Sequence, residues 1–117
     1  MSRVLVVDDD PQMRRLVGMV LEDEGHEVRL ACNGLEALEL LVGTEAGPEV
    51  IVLDLRMPEL DGPGFLARYR AEWERCAPVV LMSGEDGEQV ERLGATVVVT
   101  KPFDLDDLIA AVAAAIG

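Results

Sequence analysis

The sequence predicts an α/β fold: a parallel sheet with helices packed on both faces. Three observations predict it. Short apolar runs alternate with amphipathic segments along the 117 residues. The alternation repeats five times, strand then helix, and parallel strands need crossovers of this kind. The runs at 4–7, 50–55 and 77–83 are nearly continuous in apolar residues, the pattern of strands buried on both faces. No linker, low-complexity stretch or short-period repeat interrupts them, so one domain over residues 1–117 is expected.

Each element has its own signal. After the first strand, Asp10 is placed to cap a helix with Pro11 at its first position and Met13, Leu16, Val17, Val20 and Leu21 at helical spacing. Gly25 is a natural stop. In residues 26–31, Val28 and Leu30 alternate as in an edge strand, and His26 reads as a partly exposed strand residue. Asn33 with Glu36 resembles a capping box opening a helix that carries Leu35, Leu38, Leu41 and Val42. Residues 43–48 form a loop, 50–55 the third strand, about 62–73 the third helix and 77–83 the fourth strand. Residues 84–93 hold at most a short fourth helix. Residues 96–100 are the fifth strand, and Asp104 caps a last helix with Leu105, Leu108, Ile109, Val112 and Ile116. Asp106 and Asp107 suit the positive end of that helix.

Composition narrows the function. The formal net charge is −13, which repels nucleic-acid phosphates and anionic membranes and attracts basic partners and divalent cations. No apolar run reaches the roughly 20 residues of a membrane helix, and the start reads as no signal peptide, so a cytoplasmic protein is expected. Cys32 and Cys76 sit in no metal-like spacing and read as reduced and incidental. One histidine rules out a multi-histidine metal site. Lysine occurs once, at Lys101, against nine arginines.

Ligands of open α/β sheets bind beyond the carboxyl ends of the strands. Asp8, Asp9 and Asp10 follow the first strand, Asp54 ends the third, Ser83 ends the fourth and Lys101 follows the fifth. Each residue type suits a task. Clustered carboxylates with a carbonyl make a hard oxygen site for Mg2+. A compact ammonium and a hydroxyl can hold oxygens of an incoming anion. A carboxylate can attack phosphorus, and phosphoryl transfer needs little beyond in-line positioning and charge neutralisation. Asp10 reads as a helix cap rather than a ligand.

The stretches VLVVDDDP, VIVLDLRMPELDG, VVLMSG and VVVTKPFDLDDL, in that order and spanning most of the chain, resemble the receiver domain of response regulators in two-component signalling. The resemblance implies a flavodoxin-like, doubly wound fold of strand order 2-1-3-4-5 with five helices. It implies that Asp54 accepts a phosphoryl group from the phosphohistidine of a histidine kinase. It implies Mg2+ held by Asp9 directly, Asp8 through water, Asp54 and the backbone carbonyl of Arg56. Lys101 would pair with Asp54 and then with a phosphoryl oxygen, and Ser83 would hydrogen-bond another. Lys101–Pro102 would be a cis peptide, and Pro58 and Gly62 would shape the loop after the acceptor. The domain would relay a conformational change to a partner or output domain without binding DNA itself.

Two departures from the family matter. The interval from Ser83 to Lys101 is short by about one helical turn, and Gly84, Gly87 and Gly94 weaken the fourth helix further. Val98 stands where many members carry an aromatic switch residue, so the conformational response is expected in the loop after the fourth strand. Arg56 and Glu85 flank the site and are expected to pair across its mouth, hindering the water that hydrolyses the acyl phosphate. Two alternatives stand beside this reading. One is a phosphorylation-independent interaction module of the same fold. The other is a phosphohydrolase with Asp8 as nucleophile and Asp10 as acid and base, against which Gln12 departs from that superfamily's pattern and Asp54 is left idle.

Overall fold

The computed structural model describes residues 2–42, 47–55, 57, 59–83, 97–100 and 104–117, with only the backbone of Ser83. The elements follow as β1 Arg3–Val7, α1 Pro11–Asp23, β2 Glu27–Ala31, α2 Gly34–Val42, β3 Val50–Asp54, α3 Gly62–Glu72, β4 Val79–Ser83, β5 Val97–Thr100 and α4 Leu105–Ile116. The five strands form one parallel sheet of order β2-β1-β3-β4-β5, the flavodoxin-like order. The described residues contain four helices. The expected short helix falls within residues 84–93, which lie outside the described residues, so the last helix is α4 in this numbering.

Strand alternation divides the core into two layers. Leu5, Val7, Ile51, Leu53, Val79 and Leu81 face one side and meet Ala37, Leu38 and Leu41 of α2 and Phe65, Leu66 and Tyr69 of α3. Val4, Val6, Val50, Val52, Val80, Met82 and Val99 face the other and meet Val17 and Leu21 of α1 and Leu108, Ala111 and Val112 of α4. Every residue of β3 is buried, which is why that strand reads as an unbroken apolar run. Burying each large aliphatic side chain contributes about 1.5–3 kcal/mol.

The helix signals hold with three refinements. In α2 the buried stripe is Gly34, Ala37, Leu38 and Leu41, so Leu35 and Val42 lie off it, 40% and 75% exposed. In α1, Leu16 is likewise 43% exposed, while Val17, Gly18 and Leu21 are buried. Asp104 takes the extended cap conformation, but its side chain makes no capping bond; its carbonyl accepts from the N–H groups of Asp107 and Leu108. The stop at Gly25 is as expected: it adopts φ +91°, which glycine tolerates, and its N–H and that of His26 return to the carbonyls of Glu22 and Leu21. His26 is half-buried and sits just before β2 rather than in it. No described helix is long and apolar enough to cross a membrane.

Candidate functional site

Sheet register brings the acids to one edge. Val7 pairs with Leu53, so Asp8 and Asp54, the next residues of each chain segment, leave the sheet side by side. Asp54 is level with Met82 of β4, and Ser83 with Thr100 of β5, which puts the Ser83 backbone one step further along the same edge. Asp54 continues the even positions Val50 and Val52, whose side chains pack toward α1 and α4. Lys101, Arg56, Glu85, Pro58 and Pro102 lie outside the described residues.

The structure brings together Asp8, Asp9 and Asp54, with one carboxylate oxygen of each within 4.8 Å of the others. Asp8 is 1% exposed and Asp54 7%, while Asp9 is exposed. Two carboxylates at this separation repel by on the order of 3 kcal/mol at an effective dielectric of about 20, and burial adds a desolvation cost. A cation among them offsets both. All the side-chain donors are hard carboxylate oxygens, the set that Mg2+ takes. With one oxygen of each within 4.8 Å of the others, the three carboxylates are close enough to share a single small cation, directly or through a bound water.

The turn from β1 into α1 is heavily tied. The Asp8 N–H donates to the carbonyl of Ala31 at 3.1 Å. The Asp8 Oδ1 accepts from the Asp10 N–H at 2.9 Å. The Asp8 carbonyl accepts from Arg14 Nη1 at 2.8 Å. Asp10 is the cap that the sequence suggests: its Oδ1 accepts from the N–H groups of Gln12 and Met13 at 3.0 and 3.4 Å.

The loop after Asp54 is held as closely. The Leu55 N–H donates to the Met82 carbonyl, and the Leu55 carbonyl accepts from Gly62. A Cβ on Gly62 would lie 3.0 Å from the Asp54 carbonyl oxygen and from Leu55 Cα, so glycine lets α3 begin against the end of β3. Asp61 caps α3 through the Gly64 N–H at 2.8 Å. Glu59 adopts φ +67°, a conformation uncommon outside glycine, and its carboxylate accepts from Asn33 Nδ2 at 3.5 Å. Asn33 also accepts from the Glu36 N–H, whereas Glu36 reaches Cys32 N–H rather than Asn33, a capping box displaced by one residue.

Sequence reasoning missed Arg14 and the pairing of Asn33 with Glu59. An arginine at the fourth position of a helix is long enough to reach back over the first turn, a signal that spacing alone offers. Nothing comparable marks Glu59, because its partner arrives from a different loop.

A family model described as the response regulator receiver domain matches residues 4–113. The chain is 39% identical over 111 residues to the regulatory protein AtoC of Escherichia coli, an alignment covering 92% of this chain but 23% of AtoC. It is 31% identical over 110 residues to sporulation initiation phosphotransferase F of Bacillus subtilis, covering 92% and 87% of the two chains. Among solved structures it resembles the response regulator TrrA of Thermotoga maritima in complex with Mg2+ and BeF, with a TM-score of 0.84 and 30% identity over 98% of this chain and 99% of that one. The chain thus spans less than a quarter of AtoC.

Proposed function

This chain belongs to the response regulator receiver family, and from that premise we propose that Asp54 is its phosphoacceptor, supplied by a histidine kinase. One observation carries the reading: Asp54 ends β3 beside Asp8 and Asp9, with their carboxylates converging at the sheet edge. A carboxylate oxygen of Asp54 attacks the phosphorus of a phosphohistidine. The O–P bond forms as the P–N bond breaks, and the imidazole leaves with the electron pair and takes a proton.

Asp8, Asp9, Asp54 and the carbonyl of Arg56 would hold Mg2+, which spreads the negative charge of the transferring group. The Mg2+ and BeF bound to TrrA support this assignment by similarity. By the same family resemblance, Lys101 would pair with Asp54 before transfer and with a phosphoryl oxygen after it, Ser83 would hydrogen-bond a second oxygen, and Lys101–Pro102 would be a cis peptide. Arg56 and Glu85 gate the hydrolytic water, which Arg56→Ala and Glu85→Ala test through the lifetime of the phosphoryl group. The domain, residues 1–117, promotes its own phosphorylation and dephosphorylation and turns over no outside substrate.

The modified domain acts in the cytoplasm by shifting a conformational population that a downstream protein or output domain reads. The charge of −13 disfavours direct DNA binding by this segment. A phosphorylation-independent module is the less economical reading, because it gives the buried acids no task. The experiment is a phosphotransfer profile against the histidine kinases of the source organism, with Asp54→Asn as control. Transfer from one kinase, absent in the control, is expected; transfer that persists in Asp54→Asn contradicts the assignment.

A further inference from the structure

We infer that Arg14 is a positioning residue for the Mg2+ site, acting through the peptide plane between Asp8 and Asp9; the inference rests on the metal assignment above. The guanidinium Nη1 donates to the Asp8 carbonyl at 2.8 Å in a partly buried contact. That carbonyl shares a rigid plane with the Asp9 N–H. Asp8 is anchored on the sheet side by its N–H to Ala31 and through its side chain by the Asp10 N–H. The Asp10 N–H bond closes a turn that includes the plane following Asp8, Arg14 holds the same plane at its carbonyl, and the plane sets the direction in which Asp9 departs. Asp9 is exposed, and no hydrogen bond or ion pair holds its side chain among the described residues. The aim of this carboxylate therefore depends on its backbone, and Arg14 is the side chain that helps hold that backbone in place.

A positive group bonded to the backbone of a residue in the acid cluster could act differently, as a standing counter-charge. The two roles predict opposite signs. Removing a counter-charge leaves the acids more attractive to a cation and tightens Mg2+ binding. Removing a positioning bond lets Asp9 wander and weakens it.

Calorimetric titration of the whole chain with Mg2+ alone separates them. Arg14→Met is expected to bind Mg2+ about tenfold more weakly than wild type, in the range of outer-shell substitutions at metal sites, and Arg14→Lys, which retains a donor, to recover most of the loss. Where Arg14→Met does not fold, Arg14→Gln, shorter and uncharged, carries the same prediction with the same sign. Equal or tighter binding in the folded variant overturns the inference. The Asp9 amide resonance, read without Mg2+, gives an independent arm: it is expected to move in the variant, and an unmoved resonance overturns the inference. A wild-type chain that binds no Mg2+ instead overturns the metal assignment, and the inference with it.

Discussion

Gly34 and Leu60 touch backbone to backbone: the Gly34 N–H donates to the Leu60 carbonyl at 3.2 Å, and a Cβ on Gly34 would sit 2.6 Å from that oxygen. Leu60 belongs to the loop that follows Asp54, and its side chain also lies 2.7 Å from where a Cβ on Gly64 would stand. The loop is thereby wedged between the starts of α2 and α3.

Replacing Gly34 by alanine sets two effects against each other. Relief of glycine's backbone entropy favours alanine by up to about 1 kcal/mol. Overpacking against a backbone atom costs about 1–3 kcal/mol. The clash is with a carbonyl that cannot swing aside, so Gly34→Ala is expected to destabilise the fold in urea unfolding. A gain in stability would show that the loop gives way freely.

Tyr69 is 2% exposed, stacks on Phe65 at 5.6 Å between ring centroids, and accepts a hydrogen bond on its hydroxyl from the Ala77 N–H at 2.8 Å. Tyr69→Phe keeps the ring and leaves that N–H without its acceptor. The expected cost is about 1–3 kcal/mol, measured as a lowered urea midpoint at unchanged slope; an unchanged midpoint contradicts it.

The cysteines differ in exposure and environment. Cys76 is exposed and Cys32 half-buried. Burial pushes the Cys32 thiol up, as do its hydrogen bond to Glu36 and the charge of Glu36, while Arg14 draws it down more weakly. A thiol raised in the folded state supports the fold fully below the ordinary thiol range, and that support is lost as pH rises through the raised value. With a disulfide reagent near pH 8, Cys76 is expected to react several-fold faster than Cys32, the gap closing at higher pH. Equal rates at pH 8 contradict the assignment.

Val98 is 40% exposed on β5, and valine has no ring to swing inward. Amide shifts with and without a phosphoryl mimic are expected to change most just after β4. Largest changes at Val98 and α4, with residues 83–88 unmoved, contradict this route.

Much of the fold was legible because its signals are local. The runs at β1, β3 and β4 are apolar because sheet and helices cover both their faces, and Asp10, Pro11 and Gly25 punctuate α1 through backbone chemistry readable one residue at a time. The strand order came from the family resemblance, since periodicity says nothing of which strands are neighbours. Within the site, three acids at strand ends were legible as a cluster because register carries Asp8 and Asp54 to the same level. The bonds that aim them were not. Arg14 to Asp8, Asn33 to Glu59 and Gly34 to Leu60 each join segments whose meeting depends on how turns are built in space.

Asp54, beside buried Asp8 and exposed Asp9, is assigned as the residue that accepts the phosphoryl group. Incubation with acetyl phosphate and Mg2+, followed by intact-mass measurement and peptide mapping, tests it most directly. One phosphoryl group per chain is expected, mapped to Asp54, absent in Asp54→Asn and absent when the metal is chelated. A wild-type chain that stays unmodified, or carries the group on another residue, contradicts it.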